Sequence, residues 1–385
     1  MATRMRIALV HEWLVTHGGS EEITVELQRL FPEAHQFALL AEPAPSLRAR
    51  LDGRPVKTSF LQRIPGATRW HRALLPLLPM AVASLDLRGY DLVISVSHAV
   101  AKSVRIGPGQ VHLCLCCSPM RYAWDLRESY LRETGLDRGV QGWLARLLLE
   151  RIRRWDLATA GRPTAYVAIS TFIAERIARA YGRHSTVIYP PVDTDFFHPA
   201  ATASDAQYWC TASRFVPYKR IPLIVEAFVG LPTHRLVVVG DGPERARVEA
   251  AVRGAANIEL RGHLPRADVR RVLQGARGFV FAAEEDFGIV PIEAMACGVP
   301  VLAYGRGGAL ETVVSAHAGP GTGAFFETQT PEAIRDGVQR VEAACAAGRI
   351  TAAGCRAQAE RFSVEVFRDR IRDEVARVAQ RLVLS

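Results

Sequence analysis

The segment that most constrains the fold is residues 278–304, where two short apolar runs enclose a stretch of helix length. Residues 278–283 (GFVFAA) and 299–304 (VPVLAY) have the length and composition of buried strands. The helix between them is predicted to begin just before Pro291, which needs no N–H donor there, and to end at Gly298. Strand, loop, helix and strand in this order form a βαβ unit, which predicts an α/β protein with a parallel sheet.

Two carboxylates flank the predicted loop and helix of this unit. Glu285 follows the first strand, and Glu293 lies on the helix eight residues later. Ligands of open α/β sheets bind at this carboxyl rim, where the N–H groups of Phe287, Gly288 and Ile289 would form a nest for an anion. A carboxylate accepts hydrogen bonds from a vicinal diol, so the pattern suits a nucleotide sugar. The alternative is that both glutamates are solvated surface residues.

Residues 285–300 closely resemble the donor-site signature of retaining glycosyltransferases of family 4, which reads E-x-F-G-x-x-x-x-E-A-M-A-x-G-x-P. The resemblance covers nearly the whole chain and implies the GT-B fold, with two facing Rossmann-like, doubly wound domains and a central cleft. Residues 1–190 would form the acceptor-binding domain and residues 191–362 the nucleotide-sugar-binding domain. Residues 363–385 would form a helix that crosses back to the first domain. Pro190-Pro191 is the predicted hinge for closing the cleft.

Other motifs match the same family, and the resemblance implies a role for each. Arg214 and Lys219, five residues apart after a predicted strand, match the element that clamps the donor diphosphate. Gly18 and Gly19 match a glycine loop beside the donor phosphates, with Ser20 as the expected N-cap; alone, this glycine pair is weak support. The remaining donor-site positions follow three other predicted strands: Gly240 and Gly242, Leu264, and residues 305–311. Neither the turn at Gly18-Gly19 nor the turn at Gly240 fits G-x-G-x-x-G, which argues against a dinucleotide cofactor.

The resemblance also implies how the reaction proceeds. Glu285, Arg214 and Lys219 would be the catalytic residues, with Glu285 on the hydroxyls of the transferred sugar and Glu293 on the ribose diol. The leaving diphosphate would take the proton of the acceptor, so we expect neither a metal ion nor a cofactor.

Two sequence segments of the first half are similar to those of bacterial mannosyltransferases of exopolysaccharide and O-antigen (lipopolysaccharide) assembly: SVSHAVAKSV and CSPMRYAWD. This similarity implies transfer of mannose from GDP-mannose to a polyprenyl-diphosphate-linked oligosaccharide. Two alternatives stay open. One is a family 4 enzyme that uses a UDP-sugar carrying glucose, N-acetylglucosamine or galactose, and the other is a GT-B epimerase or hydrolase of nucleotide sugars.

Residues expected on the acceptor side follow predicted strands of the first half: His98, Ser118, Arg121 and Ser170. For His98 a capping or core role is equally open, and Ser170 is also the predicted N-cap of the following helix. Many family members have a histidine close to the reacting sugar at position 117, in a Cys-His-Thr-Pro pattern. This chain has Cys117, so that histidine cannot be part of its mechanism.

The chain is basic, with a formal net charge of +9 over 385 residues. Such a charge can attract an anionic membrane or nucleic acid, or it can reflect an arginine-rich composition alone. Aromatic residues interleaved with basic ones at strand spacing, as nucleic-acid binding would need, are missing. Besides the nucleotide-sugar donor and the lipid-linked acceptor that the resemblance implies, we expect an anionic membrane surface but no nucleic acid as a further partner.

Seven cysteines without paired spacing indicate neither a disulfide framework nor a zinc site, so a reducing cytoplasm is expected. No secretory signal is visible, and the most apolar stretch, 73–85, is shorter than the roughly 20 residues of a membrane span. The expected location is cytoplasmic, at the periphery of the inner face of the cytoplasmic membrane. A predicted helix at 141–155 fits a membrane-interface helix and an ordinary packed helix equally well.

Overall fold

The computed structural model describes residues 5–16, 18–124, 127, 131–132, 135, 138–201 and 208–384. The chain divides into two compact units. Unit 1 comprises Met1–Pro191 with Phe367–Ser385, and unit 2 comprises Val192–Val366. The predicted hinge, Pro190-Pro191, is the last pair of the first stretch, and motion there remains a prediction.

In the described part of unit 1, seven parallel strands form one sheet in the order β3-β2-β1-β4-β5-β6-β7. The strands are β1 Ile7–Leu14, β2 His35–Ala41, β3 Val56–Thr58, β4 Leu92–Ser97, β5 Val111–Cys116, β6 Ala165–Ala168 and β7 Ser185–Val187. The helices are α1 Gly19–Leu30, α2 Pro45–Arg50, α3 Leu78–Ala83, α4 Gly139–Ala158 and α5 Thr171–Tyr181, with 3₁₀ turns at Phe60–Arg63, His71–Leu77 and Ala101–Ser103. The strand order reverses between β1 and β4, which makes their carboxyl ends the expected ligand position of this sheet.

In the described part of unit 2, six parallel strands form a sheet in the order β10-β9-β8-β11-β12-β13. The strands are β8 Tyr208–Ala212, β9 Arg235–Val239, β10 Ile258–Leu260, β11 Ala276–Phe281, β12 Val301–Tyr304 and β13 Gly323–Phe326. The helices are α6 Ile221–Val229, α7 Arg245–Val252, α8 Arg266–Gln274, α9 Ile289–Ala296, α10 Ala309–Thr312, α11 Pro331–Ala346 and α12 Ala352–Glu360, with a 3₁₀ turn at Pro217–Lys219. The predicted βαβ unit is present as β11, α9 and β12, and the strand order reverses between β8 and β11.

The last helix, α13 Val364–Leu384, lies with unit 1 from Phe367 onward. Apolar side chains at helical spacing are buried along it: Phe367, Ile371, Val375 and Val378. Arg368 pairs with the buried carboxylate of Glu26 on α1, and Thr186 donates a hydrogen bond to Glu374 at 3.3 Å. Apolar burial and these polar contacts together attach the helix to the sheet of unit 1. Among the described helices, none has the combination of length and apolar composition that a bilayer crossing requires.

A buried ion pair attaches α4 to the end of β4. Lys102 Nζ lies 3.0 Å from Asp156 Oδ1, and both side chains are almost fully buried. The second carboxylate oxygen of Asp156 accepts hydrogen bonds from Trp124 Nε1 and from the Tyr181 hydroxyl, each at 2.8 Å. Because every charge in the cluster has a partner, the network sets the position of α4 despite the cost of burying charged groups.

The buried histidine of β5 makes the stability of unit 1 depend on pH. Ser95 Oγ lies 2.7 Å from His112 Nε2, and burial, followed by the nearby Lys102 and Arg162 charges, lowers the pKa of His112 to about 3. Below the ordinary histidine pKa of 6.5, the unfolded chain therefore binds a proton that the folded chain does not. Stability from this group is complete above pH 6.5 and decreases toward pH 3, by up to about 1.4 kcal/mol per pH unit.

We expect His112→Gln to reduce this pH dependence, because glutamine cannot titrate. Urea unfolding midpoints measured between pH 7 and pH 5 check it, with the exposed His184→Gln as the matched control. The control should keep the slope of the wild-type protein. Equal slopes for the wild type and His112→Gln would contradict the prediction.

Candidate functional site

The loop between β11 and α9 places Glu285 at the carboxyl rim of the unit 2 sheet. Gly288 has a φ of +88°, a left-handed conformation that favours glycine, and it precedes the first residue of α9. Phe287 is buried and its ring packs edge-on against Phe362, with centroids 5.7 Å apart. This aromatic contact anchors the loop, so that the N–H groups of the first turn of α9 point out of the helix end at a fixed place.

The glycine loop after β12 packs directly on the loop that carries Glu285. Gly308 N donates a hydrogen bond to the Glu285 carbonyl at 2.8 Å. Gly307 has a φ of +64°, and a Cβ there would lie 2.4 Å from the same carbonyl oxygen. A Cβ on Gly308 would lie 2.4 Å from Phe287 Cα. These glycines are therefore required for two backbones to approach each other, and they position the loop of Glu285.

Lys219 and Glu285 form an ion pair at this rim. Lys219 is the last residue of the 3₁₀ turn that follows β8, and its Nζ contacts Glu285 Oε1. Both side chains are mostly buried, at 15% and 16% exposure, and Lys219 Nζ lies 5.7 Å from the ring centroid of Phe281. The sequence assigned these two residues separate partners on the donor, whereas the structure places them against each other. The ammonium group is thus held against the loop that leads into α9, a helix whose N-terminus could bind an anion.

Gly240 and Gly242 have a packing role that the sequence did not predict. A Cβ on Gly240 would lie 1.7 Å from the Ser213 carbonyl oxygen, and one on Gly242 would lie 2.5 Å from the Phe215 carbonyl oxygen. Phe215 N also donates a hydrogen bond to the Asp241 carbonyl at 2.8 Å. The glycine turn after β9 therefore supports the segment that carries Arg214, whose own side chain is exposed.

Two other predicted donor-site residues lie on neighbouring elements of unit 2. Leu264 is half-buried in the loop between β10 and α8, and Gly240 N donates to the Gly262 carbonyl of that loop at 2.7 Å. Glu293 is half-buried on α9, one turn before Cys297. Burial, and after it the Glu293 carboxylate, raise the pKa of Cys297 to about 12. Cys297 is therefore a neutral thiol at physiological pH.

In unit 1, a fully buried carboxylate organises the loop after β4. Glu12 lies in β1, and sequence reasoning did not single it out, although a glutamate within a buried strand was a signal that could have identified it. Burial alone would raise the pKa of Glu12, but His98, His11 and hydrogen bonds from the loop backbone lower it. Its Oε1 atom accepts five hydrogen bonds of 2.9–3.1 Å, from Ser97 Oγ and from the N–H groups of His98, Ala99, Val100 and Ala101.

His98, which lies on that loop, is held by contacts with two residues of β1. Its Nδ1 atom lies 3.2 Å from Glu12 Oε2, and its ring packs edge-on against Trp13 with centroids 4.9 Å apart. The side chain is 28% exposed. His11, also on β1, is buried, and burial lowers its pKa despite the nearby Glu21 and Glu12 charges. The predicted acceptor-side histidine thus lies at the strand-order reversal of unit 1.

The remaining predicted acceptor-side residues lie on the loops after β5 and β6. Ser118 is buried and donates to its neighbour, the Pro119 carbonyl, at 2.7 Å, and Cys117 N donates to the Ser97 carbonyl at 2.7 Å. Ser170 is fully buried and accepts from Ile173 N at 3.1 Å, so it is the N-cap of α5. Arg121 is half-buried. The burial of both serines means that any contact with an acceptor requires their hydroxyls to exchange these hydrogen bonds.

The glycine loop after β1 has a different cap from the predicted one. The N-cap of α1 is Gly18, not Ser20, and Gly19 is the first helical residue. Ser20 instead donates its hydroxyl to Glu21 Oε2 at 3.0 Å, and a Cβ on Gly18 would lie 3.1 Å from that oxygen. The Ser20 prediction was wrong because α1 begins at Gly19, which places Ser20 inside the first turn.

Comparison with known proteins identifies the region that carries the unit 2 site. Residues 193–345 match the family model described as glycosyl transferases group 1. The matched region includes Lys219, Glu285, the start of α9 and the glycine loop after β12.

Relatives with described activities match about two fifths of the chain. The GDP-mannose-dependent monoacylated alpha-(1-6)-phosphatidylinositol monomannoside mannosyltransferase of Corynebacterium glutamicum is 33% identical over 190 residues, 41% of this chain and 48% of the relative. The 2-deoxystreptamine glucosyltransferase of Streptomyces kanamyceticus is 31% identical over 193 residues, 43% of this chain and 48% of the relative. The chain thus aligns with about half the length of the curated relatives it matches.

Several solved structures match over nearly the full length of this chain. HepE of Anabaena in complex with UDP has a TM-score of 0.71 at 18% identity, covering 97% of this chain and all of that chain. Sucrose-phosphate synthase of Thermosynechococcus elongatus has a TM-score of 0.71 at 20% identity, covering 99% and 100%. At such identities the similarity shows the fold alone. The predicted α/β class, with two Rossmann-like, parallel-sheet domains of the GT-B type, is confirmed.

Proposed function

We propose that this protein is a retaining glycosyltransferase that transfers mannose from GDP-mannose to a lipid-linked oligosaccharide. The Lys219–Glu285 pair carries the proposal, because it includes a carboxylate of the loop that leads into α9 and lies within the region that matches the group 1 family. An ammonium group and a helix N-terminus suit a diphosphate, and a carboxylate suits sugar hydroxyls. One rim of the sheet thereby offers partners for both halves of a nucleotide sugar.

In the proposed reaction the acceptor hydroxyl attacks the anomeric carbon from the face that the diphosphate leaves. The bond from that carbon to the β-phosphate oxygen breaks, a bond to the acceptor oxygen forms, and the acceptor proton moves to the departing phosphate oxygen. Negative charge grows on the diphosphate, where Lys219, Arg214 and the first turn of α9 stabilise it. These groups supply the positive charge that the step needs, so the proposed transfer requires neither metal ion nor cofactor.

The ion pair suggests how donor binding prepares the site. Without donor, Glu285 neutralises Lys219 at a position with little solvent. A bound diphosphate would take over the ammonium group, which frees the Glu285 carboxylate to accept hydrogen bonds from the sugar hydroxyls. In this proposal Glu293, which lies on α9, holds the ribose diol. The donor thus replaces the Lys219–Glu285 ion pair with two contacts, one from its diphosphate to Lys219 and one from its sugar to Glu285.

The choice of donor rests on the relatives. The mannosyltransferases of Corynebacterium glutamicum and Mycolicibacterium smegmatis, each 33% identical in the aligned region, are described as GDP-mannose-dependent. A UDP-sugar is the second candidate donor, because the aligned 2-deoxystreptamine enzyme is a glucosyltransferase and the HepE structure contains UDP. GDP-mannose is the proposed donor.

A panel of nucleotide sugars tests both the enzyme class and the donor. Purified protein is incubated separately with GDP-mannose, UDP-glucose, UDP-N-acetylglucosamine and UDP-galactose, and the released nucleotide and the thermal shift are measured. We expect the largest response with GDP-mannose. A response to one UDP-sugar alone would reassign the donor, and no response to any of them would contradict the class. Because no acceptor is present, released nucleotide reports hydrolysis of the donor, and analysis of the sugar distinguishes hydrolysis from epimerisation.

The surface of α4 supports a membrane-bound acceptor. One face of the helix is buried through Leu149 and Ile152, so the helix packs on unit 1. On another face, large apolar side chains at positions i, i+3, i+4 and i+7 are exposed: Val140, Trp143, Leu144 and Leu147. The helix carries four arginines against Glu150 and the buried Asp156. This combination suits the boundary of an anionic bilayer, and we propose a peripheral location on the inner face of the cytoplasmic membrane.

We expect the protein to partition to anionic liposomes and to dissociate at high salt, since screening weakens attraction between arginines and lipid headgroups. Sedimentation with vesicles of phosphatidylglycerol and phosphatidylcholine measures the bound fraction. Trp143→Ser combined with Leu147→Ser should lower partitioning at least about tenfold, because each side chain contributes on the order of 1.5 kcal/mol or more when its apolar surface is buried.

Met80→Ser is the matched control, because Met80 is also an exposed apolar residue of unit 1 but lies outside α4. It should partition like the wild type. Equal partitioning to neutral vesicles, or no partitioning at all, would contradict electrostatic docking. An unchanged bound fraction for the Trp143 and Leu147 variant would place the contact elsewhere.

A further inference from the structure

Three metal-ligating side chains meet at the carboxyl ends of β1 and β4. One ligand atom each from His11, Glu12 and His98 lies within 4.8 Å of the other two. Among the residues that the structure describes, this is the one group of three or more such side chains that meets this condition. We propose that these residues form a binding site for a divalent transition-metal ion of the zinc type.

Several buried polar atoms at this point lack the hydrogen bonds that they would ordinarily make. His11 is 1% exposed, and neither of its ring nitrogens makes a hydrogen bond of acceptable geometry. Glu12 Oε2 and His98 Nδ1 also lack hydrogen bonds of acceptable geometry, although they are 3.2 Å apart. Buried polar atoms without partners cost about 1–3 kcal/mol each, and folded proteins have few of them. An ion bound between the three side chains would satisfy one ring nitrogen of His11, Glu12 Oε2 and one ring nitrogen of His98 together.

The surroundings hold the ligands in place, as outer contacts do in metal sites. Glu12 Oε1 is fully occupied by its five hydrogen bonds from residues 97–101, which leaves Oε2 for an ion. Trp13 fixes the plane of the His98 ring. The five hydrogen bonds thus fix the orientation of the Glu12 carboxylate, and the contact with Trp13 holds the His98 ring.

The ligand types select the class of ion. Two imidazoles and one carboxylate suit Zn²⁺ and its neighbours in the first transition row, whereas Ca²⁺ and Mg²⁺ prefer oxygen ligands. Three protein ligands leave a further coordination position for water or a substrate oxygen, and His98 is the partly exposed member of the set. The proposal departs from the sequence-based expectation of no metal, but it concerns unit 1 and assigns the ion no step in the transfer.

Calorimetric titration with Zn²⁺ tests the site, on full-length protein freed of metal with a chelator. We expect one ion per chain in the wild type. His11→Ala and His98→Ala should each weaken binding by more than about 100-fold, since loss of outer contacts alone costs roughly 10- to 100-fold. His184→Ala, an exposed histidine of the same unit, should bind like the wild type. No stoichiometric binding by the wild type, or unchanged binding by both variants, would overturn the proposal.

A second measurement guards against misfolding of the buried His11→Ala variant and against binding by thiols. The chain has seven cysteines, so the visible spectrum of the Co²⁺-substituted wild type is decisive. Nitrogen and oxygen ligands give d–d bands without a thiolate-to-metal charge-transfer band, and these bands should be lost in the partly exposed His98→Ala variant. A thiolate charge-transfer band at one equivalent of Co²⁺ would assign the ion to cysteines and overturn the proposal.

Discussion

Lys219→Ala is expected to lower kcat by about 10²- to 10³-fold while the fold stays intact, and Arg214→Ala should have an effect of the same size. The reason is that both cations stabilise charge that grows on the leaving diphosphate, so their loss raises the barrier more than it weakens donor binding. Steady-state kinetics with GDP-mannose and acceptor measure kcat and KM separately. Circular dichroism checks that each variant is folded.

The structure adds a control and a distinction between the two variants. Arg235 is exposed at the start of β9, where it pairs with Glu259, so Arg235→Ala should keep activity within about twofold. Lys219→Ala also leaves Glu285 without its ion-pair partner, whereas Arg214 is exposed. Donor binding should therefore change more in Lys219→Ala than in Arg214→Ala. Activities within a few-fold of the wild type for both variants would rule out the diphosphate clamp.

Glu285→Gln and Glu293→Gln are expected to fail in different ways. Glu293→Gln should lose charge-assisted hydrogen bonds to the ribose of roughly 1.5–3 kcal/mol, which lowers affinity about tenfold to 150-fold for GDP and GDP-mannose alike. In Glu285→Gln, binding of free GDP should survive while turnover falls by at least about 100-fold. The contact of Glu285 with the sugar matters most as positive charge develops at the anomeric carbon.

Calorimetry with GDP and with GDP-mannose, on both variants, tests this division of roles. Glu284→Gln is the matched control, because Glu284 is the exposed neighbour on the same loop and should leave both affinities unchanged. If Glu285→Gln weakens free GDP as strongly as Glu293→Gln does, the assigned roles are wrong even where the enzyme class is right.

Local pattern was sufficient for the elements that carry the unit 2 site. The βαβ unit around residues 278–304 could be predicted because apolar runs of strand length, Pro291 in the first turn of a helix and Gly298 after its end are signals that act within a few residues. The observed α9 begins at Ile289 and ends at Ala296, close to that prediction. The resemblance to a known family predicted two such α/β domains, and the two parallel sheets confirm this prediction.

The sequence by itself thus determined the α/β class, the order of elements and the loops that form the candidate donor site, because strand length, helix period and glycine turns are encoded locally. Only the tertiary structure decided which of those loops meet. It brought Lys219 to Glu285 and made Gly240, Gly242, Gly307 and Gly308 packing positions. It also directed the backbone N–H groups of residues 98–101 at Glu12. In addition, it brought His11 close to His98. These contacts depend on which parallel strands become neighbours, and that choice is made by packing of the whole sheet, so residues far apart in the chain carry no local signal of it.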